Sequence, residues 1–257
     1  MIEIKNLSKS FEKAVVLNNL DLTVKTAETK VIIGRSGVGK SVLLKSIIGL
    51  MKPDSGSIKI NDVEMTTLRE KEYNKIRMEI GMVFQGGALF DSMTVGENVA
   101  FVLHEFMNLD KKTIDDKVVD ALALVGLKGI ENMPPSKLSG GMKKRVSLAR
   151  VLCMEPQIIL YDEPTSEVDP ITADAINNLI VELRDKLKVT SIVVTHDMNA
   201  AYKVADSIAM FYHGHVIADG TPQEIKSSTH PVVKQFIKGE SRGPITDDEN
   251  LVFGHVK

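Results

Sequence analysis

The feature that most constrains this chain is a glycine-rich segment at 34–41, GRSGVGKS. It fits the pattern G-x-x-x-x-G-K-[ST], in which glycines let the backbone turn so tightly that successive N–H groups point at one anion. The apolar run 29–33 before it predicts a buried strand, and the stretch 41–49 after it predicts a helix with an apolar face. A strand, a glycine loop and a helix in this order predict a phosphate-binding loop in an α/β fold.

Every position of this loop is a candidate contact for a nucleotide. Lys40 offers a positive charge to the β- and γ-phosphates, and Ser41 offers a hydroxyl to Mg²⁺. The remaining candidates in the loop are Gly34, Arg35, Ser36, Gly37, Val38 and Gly39. A glycine-rich turn without a ligand is the alternative interpretation, and the flanking strand and helix argue against it.

A second segment, 138–142 (LSGGM), also suits an anion. It places a serine and two glycines at the start of a helix that we expect over 141–155. The first N–H groups of a helix have no intrahelical partner, so they attract negative charge. The chain therefore carries two phosphate-seeking elements that are far apart in the sequence.

Two acidic residues complete the predicted site. Asp162 and Glu163 end an apolar run that starts at Ile158. Open α/β sheets bind ligands at the carboxyl ends of their strands, so we expect Asp162 to position Mg²⁺. Glu163 is the candidate that orients or deprotonates the attacking water.

These segments resemble the ATP-binding-cassette (ABC) ATPases, and the resemblance covers nearly the whole chain. Segment 138–142 matches the family signature, normally L-S-G-G-Q, and segment 166–169 (SEVD) matches the dimer-contact loop. The resemblance implies that ATP and Mg²⁺ bind and that the chain hydrolyses ATP. It also implies a P-loop NTPase (ABC ATPase) core of α/β class with an antiparallel β layer and an inserted helical sub-domain.

The resemblance assigns roles to single residues as well. Phe11 would stack on adenine, Gln85 would touch Mg²⁺ and the water, and His196 would act as a switch near the γ-phosphate. The implied catalytic residues are thus Glu163, His196 and Gln85, the implied Mg²⁺ ligands are Ser41, Gln85 and Asp162, and the implied nucleotide contacts include Phe11, Ser139, Gly140 and Gly141.

Two positions depart from the family pattern. Met142 replaces the signature glutamine, so a thioether stands where an amide is usual. Glu167 adds a negative charge where a small residue is usual, and it needs a cation or a solvated position. We expect nucleotide binding to survive, because Ser139 and the Gly140 backbone remain.

The domain organisation follows from the same resemblance. A RecA-like core is expected over 1–85 and 157–238, the helical sub-domain over 86–156, and a C-terminal tail over 239–257. Together, 1–238 form the ATPase domain.

Local patterns predict the individual elements. Alternation predicts antiparallel strands, apolar runs predict a parallel core, and amphipathic stretches predict helices. The predicted antiparallel strands are 2–6, 20–24 and 58–60, the parallel strands end at Phe84, Tyr161 and Thr195, the helices are 113–125, 141–155 and 171–187, and a hairpin spans 207–219 with its turn at 213–214.

Composition excludes several classes of protein. The net charge of −2 gives no general affinity for polyanions, so nucleic acid is not an expected partner. Cys153 is the single cysteine, which we expect to be a buried small hydrophobe, so no disulfide forms within the chain.

The N-terminal sequence alternates like a strand rather than a signal peptide. No apolar run approaches the roughly 18–20 residues that span a bilayer, so we expect a soluble chain whose transport step belongs to another chain.

The resemblance further implies a dimer of two such chains, arranged head to tail. Each ATP would lie between the phosphate loop of one chain and the signature of the other, so that Lys40 faces the partner's Ser139. Each chain has one copy of each element, so two ATP sites need two chains.

Three features are similar to the ATPases of MCE-associated lipid transporters, the maintenance-of-lipid-asymmetry group. They are segment 84–95 (FQGGALFDSMTV), segment 233–244 (VKQFIKGESRGP) and Met142. The resemblance implies an ATPase attached peripherally to the cytoplasmic face of an inner membrane, with an integral membrane permease and an MCE-type lipid-binding subunit as partners. Leu89, Phe90 and Met93 would either line a groove for a permease helix or pack within the helical sub-domain.

Two other functions fit the same motifs. One is the ATPase of a small-solute importer, which differs only in its permease. The other is a cassette without a transport role, of the kind that assembles iron–sulfur clusters.

The tail leaves two interpretations open. Residues 240–257 contain glycine, proline and an acidic run, which disfavour a continuing helix, and a loose end is one possibility. The other is that the tail crosses to the second ATPase subunit and docks the apolar cluster 251–253 there.

Overall fold

The structure is a computed structural model that describes residues 1–12 and 14–247. Within these residues the chain forms two β-sheets, with helices between and around them. The strands are β1 Ile2–Phe11, β2 Ala14–Val24, β3 Thr29–Ile33, β4 Ser55–Ile60, β5 Val63–Glu64, β6 Ile80–Val83, β7 Ile158–Asp162, β8 Thr190–Val194, β9 Ser207–Tyr212 and β10 His215–Gly220. The helices are α1 Lys40–Ile47, α2 Glu70–Arg77, α3 Val95–Phe106, α4 Lys111–Leu124, α5 Gly140–Leu152, α6 Pro170–Leu187, α7 Met198–Val204, α8 Pro222–Lys226 and α9 Pro231–Lys238.

The central sheet has the strand order β10-β9-β3-β8-β7-β6. Its strands β9, β3, β8, β7 and β6 pair in parallel, and β10 joins antiparallel to β9 through the predicted hairpin. Parallel strands all end at one edge of a sheet, so the residues that follow them meet there. This edge receives the phosphate loop after β3, Gln85 after β6, Glu163 after β7 and His196 after β8.

Both faces of the central sheet are covered. Successive residues of a strand point to opposite faces, so Val31 and Ile33 of β3 join one buried cluster and Ile32 joins another. The first cluster contains side chains from α3, α4, α5 and α6, and the second contains α1 and the antiparallel sheet. Burial on both sides explains why these strands are continuous apolar runs in the sequence.

The antiparallel sheet has the order β2-β1-β4-β5. The predicted strands 2–6 and 20–24 are parts of longer strands, and 58–60 is the end of β4. Irregularities interrupt the β1–β2 ladder between Ile4 and Ser10, and Asn6 and Asn19 adopt left-handed backbone with φ of 48° and 44°. Each irregularity shifts the alternation of apolar residues, which is why pattern alone underestimated the strands.

The predicted helices are present with shifted ends. The segment predicted as 113–125 is α4, which starts where the Asp110 side chain accepts a hydrogen bond from the Thr113 N–H at 3.0 Å. The segment predicted as 141–155 is α5, which ends at Leu152. The start of helix α3 could also have been predicted from the sequence, because Thr94 and Glu97 form a capping box there.

Helices α3, α4 and α5 all lie within the span assigned to the helical sub-domain. Helix α5 packs against α3, α4 and β6, and its buried residues share one cluster with Val83 and Tyr161 of the central sheet. The cluster also contains Cys153, whose pKa burial raises to about 11. The division into a core and a sub-domain stays a prediction.

The first residues of the tail fold back on α9. The buried Gln235 side chain donates to the Glu240 carbonyl at 3.1 Å and accepts from the Ile245 N–H at 2.8 Å. Ile245 is itself buried. The predicted docking of cluster 251–253 lies outside the described residues.

Within the part of the chain that the structure describes, no helix is both long enough and apolar enough to cross a bilayer.

The contact between β6 and α5 gives a test of this packing. A Cβ atom added to Gly81 would lie 2.0 Å from Val151 Cγ1, so Gly81→Ala should destabilise the protein by about 1–3 kcal/mol. Truncating the opposing side chain makes room, so the double variant with Val151→Ala should lose clearly less than the sum of the two single losses. The measurement is the free energy of unfolding in urea.

Gly86→Ala is the matched control, because a Cβ atom there meets nothing within 4 Å. Its effect should stay within about 0.5 kcal/mol. Strictly additive losses for Gly81→Ala and Val151→Ala would contradict the close approach of α5 to β6.

Candidate nucleotide site

The phosphate loop turns sharply between β3 and α1. Gly39 has φ of 99°, and a Cβ atom there would lie 2.8 Å from both the Val16 carbonyl and the Leu17 side chain. Only glycine meets both demands without strain. Helix α1 begins at the next residue with no side-chain cap, so its first N–H groups point toward the loop opening.

A cavity of about 290 Å³ opens over this loop. Residues from four different chain segments line it, and they come together because their strands end at one edge. The lining residues are Ser36, Gly37, Gly39, Lys40, Ser41, Val42, Gln85, Glu163 and His196.

Lys40 is buried in the floor of the site. Its ammonium donates to the Gly34 carbonyl at 2.7 Å and to the Arg35 carbonyl at 2.9 Å. Burial lowers the pKa of Lys40 from its ordinary value, and the negative charges of Glu163 and Asp162 oppose that change. The ammonium is thus held against the loop, where a phosphate would add a favourable charge.

Ser41 and Asp162 form a second polar pair. The Ser41 hydroxyl donates to Asp162 Oδ1 at 2.8 Å. Burial raises the pKa of Asp162, the Ser41 hydrogen bond opposes the change, and the neighbouring charge of Glu163 reinforces it. A cation beside Asp162 would stabilise its ionised form.

Glu163 occupies an unusual backbone position. Its φ is 48°, and its N–H donates to the Val194 carbonyl at 3.0 Å. Its Oε1 lies 3.0 Å from His196 Nδ1, so the imidazole donates to the carboxylate when Nδ1 carries the proton. Left-handed backbone in a residue other than glycine is costly and persists only where the surroundings hold it. This geometry directs the half-buried carboxylate into the cavity.

The donors present suit Mg²⁺. Ser41 offers a hydroxyl, Asp162 a carboxylate and Gln85 an amide carbonyl, which are the hard oxygen ligands that Mg²⁺ prefers. Among residues 1–12 and 14–247, no cluster of three His, Cys, Asp or Glu side chains is arranged to hold a metal by itself. A site with one carboxylate matches the usual situation of Mg²⁺, which takes further oxygens from nucleotide phosphates and water.

The signature and Phe11 do not line this cavity. Ser139 caps α5 by accepting from the Met142 N–H at 3.2 Å, and it is exposed. Gly140 and Gly141 lie against the segment 167–172, where a Cβ on Gly141 would come 2.3 Å from Thr172. Phe11 is exposed at the end of β1, with the Lys9 ammonium 5.6 Å from its ring centre. Their contacts with ATP remain predictions.

The structure shows the surroundings of Met142 and Glu167, the two departures from the family pattern. The Met142 side chain packs against the buried cluster of the helices, so its thioether serves packing while its N–H makes the cap. Glu167 is exposed, and its charge acts on Lys144. Glu167 therefore has the solvated position that its charge requires.

Val42 and Lys144 also belong to the site or its surroundings, although the sequence pattern did not predict them. Val42 lines the cavity one turn into α1. Lys144 is a lysine in the buried stripe of α5, in helical register with Gly141, Ser147 and Leu148. A lysine at an apolar position of an amphipathic helix was the available signal.

The fold and the site together define a nucleotide-binding protein with a phosphate loop. A family model described as ABC transporter matches residues 17–166, a span that includes the loop, Gln85, the signature and Glu163. The chain therefore belongs to the ABC transporter family, and it is an ATP-binding, ATP-hydrolysing subunit of a transporter.

Several relatives are similar over most of the chain. The probable ribonucleotide transport ATP-binding protein mkl of Mycobacterium tuberculosis is 42% identical over 95% of this chain and 68% of its own length. The intermembrane phospholipid transport system ATP-binding protein MlaF of Haemophilus influenzae is 40% identical over 95% and 93%. The methionine import ATP-binding protein MetN 4 of Oceanobacillus iheyensis is 39% identical over 96% and 73%.

A solved structure supports the same family. It is a dimeric ATP-binding cassette in a post-hydrolysis state with ADP and Pi, with a TM-score of 0.79 and 33% identity over 86% of this chain and 99% of that chain. The predicted ABC ATPase fold is confirmed by this likeness.

The site separates two roles that substitution can test. Glu163→Gln keeps the shape of the side chain but removes the base, so we expect nucleotide affinity to persist while turnover falls by about 10²–10⁴-fold. Lys40→Ala removes a charged donor whose hydrogen bonds contribute about 1.5–3 kcal/mol, so ATP affinity should fall about 10- to 100-fold. Phosphate release and titration with a fluorescent ATP analogue measure the two effects.

The matched controls are Glu155→Gln and Lys52→Ala, at exposed positions outside the cavity. Both should behave as the wild type. Wild-type turnover in Glu163→Gln would disprove the role of Glu163 as the base.

Proposed function

We propose that this ABC ATPase powers the movement of phospholipids or other hydrophobic substrates by a transporter of the inner membrane. The proposal places the chain at the cytoplasmic face of the membrane, bound to an integral permease and to an MCE-type lipid-binding subunit. It combines the chemistry of the cavity, a docking groove beside the cavity, and the resemblance of three chain segments to lipid-transporting ATPases.

In the proposed reaction, the loop N–H groups and Lys40 hold the phosphates of ATP. The oxygen of a water molecule bonds to the γ-phosphorus, the bond from that phosphorus to the bridging oxygen breaks, and the water proton passes to Glu163. His196 fixes the Glu163 carboxylate, and Gln85 orients the water. Ser41, Asp162 and Gln85 would hold Mg²⁺, which would supply positive charge to the phosphate oxygens.

The observation that carries the coupling to a membrane partner is an apolar groove of about 440 Å³ beside Gln85. It lies between α2, β6, α3 and α5, and apolar side chains form most of its wall. The wall contains Ile48, Leu50, Ile80, Gly81, Met82, Phe84, Ala88, Phe90, Phe101, Val102, Val151 and Met154, with Arg77 and Arg150 at its sides.

A ring contact and two hydrogen bonds hold the wall of the groove in place. The Phe90 and Phe101 rings lie 4.7 Å apart, and Arg150 donates to the Gly87 and Ala88 carbonyls at 3.0 and 2.7 Å. Phe90 is 41% exposed, so its ring is accessible to a partner in the groove. We infer that a short helix of the permease binds here, with its apolar side chains in the groove.

Of the residues first proposed for this groove, only one is part of its wall. Phe90 lines it, whereas Leu89 packs against the buried helix cluster and Met93 lies outside the groove lining. The segment 84–90 joins Gln85 in the nucleotide cavity to the groove. A shift of a helix in the groove is thereby transmitted to the residue proposed to orient the water.

The proposal includes a head-to-tail dimer. The signature lies outside the cavity of its own chain, although in the reaction it is expected to contact ATP. A second copy would bring Ser139 over the phosphates, and both chains would then gain contacts to the same nucleotide. Loss of the γ-phosphate after hydrolysis removes a shared contact and favours opening.

Relatives of nearly equal similarity carry names for phospholipid, ribonucleotide and methionine transport. The segments 84–95 and 233–244 and Met142 favour the lipid assignment, because they resemble lipid-transporting ATPases in particular. A small-solute importer and a non-transport cassette of the iron–sulfur-assembly type are the alternatives.

The shared site can be tested by mixing damaged chains. Lys40→Ala and Ser139→Arg should each abolish hydrolysis when present in both subunits. In a heterodimer of the two, one ATP site is intact and the other is doubly damaged, so mixing should restore activity well above either parent. The measurement is phosphate release against the mixing ratio.

A site built within one chain predicts no recovery in the mixture. As a direct control, a tagged chain with Ser36→Cys and an untagged chain with Ser139→Cys should crosslink to each other through a short bifunctional reagent. Crosslinks confined to single chains that carry both cysteines would exclude the head-to-tail arrangement.

The lipid assignment can be tested with the complete transporter. We expect the tagged full-length chain to co-purify with a membrane-spanning partner from its own cells, and the complex to move labelled phospholipid between vesicles only with ATP. Phe90→Asp replaces an apolar ring of the groove wall with a carboxylate that must lose its water when a helix binds, so the yield of complex should fall by more than about tenfold while ATP binding persists.

Phe106→Asp is the matched control, because Phe106 lies at the end of α3, is 65% exposed and is outside the groove wall. Uptake of methionine or ribonucleotide without phospholipid movement would contradict the lipid assignment. ATP hydrolysis by a chain that never associates with a membrane partner would favour the non-transport alternative.

A further inference from the structure

A buried lysine on α5 contacts both Gln85 and the loop that follows Glu163. Gln85 and Glu163 have separate roles in the proposed mechanism. Lys144 is 7% exposed, and its ammonium donates to the Gln85 carbonyl and, at 3.2 Å, to the Ser166 hydroxyl. Burial lowers the pKa of Lys144, and the negative charges of Glu167 and Glu163 oppose the change. Lysine is rarely buried without a paired charge in contact, so this position calls for a reason.

Both partners of Lys144 adjoin the reacting groups. Gln85 lines the nucleotide cavity. The Ser166 hydroxyl donates to the Glu163 carbonyl at 2.9 Å, and the Ser166 N–H donates to the same oxygen at 3.1 Å. These bonds hold Glu163 in its left-handed backbone, which depends on such support. One ammonium therefore supports the positions of Gln85 and Glu163 at once.

Lys144 also belongs to the helix that begins at the signature. Ser139 caps α5, and Lys144 lies little more than one turn further along the same helix. A helix transmits displacement along its axis with little loss, because its backbone hydrogen bonds fix its length. A small movement of Ser139 would therefore reach the Lys144 ammonium and its two partners.

We propose that Lys144 is a positioning residue that couples the two ATP sites of the dimer. It transmits engagement of Ser139 by the partner's nucleotide to Gln85 and Glu163 of its own site, so that each site hydrolyses ATP faster when the other is filled. This proposal rests on the proposed head-to-tail dimer. The ammonium suits the role because it has three donors and spans both acceptors, whereas a neutral apolar side chain spans neither.

The test uses the full-length chain in its transporter complex and compares Lys144→Met, Lys144→Arg and the control Lys143→Met. Loss of positioning predicts a kcat for Lys144→Met that is about 10- to 100-fold lower, since small misplacements of reacting groups have effects of that size. The KM for ATP should change much less, because Lys144 does not line the nucleotide cavity. The Hill coefficient for ATP should fall toward 1, which a loss of stability alone would not cause.

Lys144→Arg keeps a charged donor and should recover most of the kcat and the cooperativity, and Lys143→Met should match the wild type. Ser166→Ala supplies an independent arm that leaves the lysine in place, and it should lower kcat and the Hill coefficient in the same direction. Should Lys144→Met fail to fold, Ser166→Ala decides the matter. Wild-type kcat and cooperativity in Ser166→Ala, or in a folded Lys144→Met, would overturn the proposal.

A separate measurement tests whether the dimer forms. Glu163→Gln with ATP should form a dimer by light scattering. If it stays monomeric, the head-to-tail arrangement is wrong and the coupling proposal is overturned with it. If it forms a dimer but Lys144→Met keeps wild-type kinetics, only the coupling role of Lys144 is lost.

Discussion

Burial of the central sheet on both faces is the constraint on which the rest of this structure depends. The parallel strands can be covered on both sides only because helices and a second sheet pack against them, and covered parallel strands all end at one edge. The loops at that edge then have no alternative but to meet. Lys40, Gln85, Glu163 and His196 share a cavity for this reason, although more than a hundred and fifty residues separate the first from the last.

The site buries two charged groups whose charges suit a phosphate and a divalent cation. Burial acts against the charged form of Lys40, and it acts against that of Asp162 as well. A phosphate would favour the ammonium and a divalent cation would favour the carboxylate, so nucleotide and cation would each offset the cost of burying these two charges. The signature lies outside this cavity, and in the proposed head-to-tail dimer the second chain supplies the signature's contacts to ATP. Lys144 lies on the helix that Ser139 caps and donates to the Gln85 carbonyl and the Ser166 hydroxyl.

Much of this site could be predicted because its chemistry is local in sequence. The phosphate loop needs glycines, a lysine and a serine at fixed spacing, and a strand that ends in Asp162 and Glu163 has an obvious exit into solvent. The strand lengths of the antiparallel sheet could not be predicted as well, since Asn6 and Asn19 take left-handed backbone and shift the alternation. The contacts of Lys144 could not be predicted either, because its partners Gln85 and Ser166 are distant in the sequence.

The sequence by itself determined the class of the protein, the phosphate loop and the identity of the candidate catalytic residues. Those properties depend on residue type and short spacing, which a linear pattern records. The tertiary structure alone decided that Leu89 packs inward while Phe90 lines a groove, that Glu167 is solvated near Lys144, and that the tail turns back through Gln235 and Ile245. These outcomes depend on which side chains from distant segments occupy the same space. Close packing fixes that choice only when the whole chain has folded.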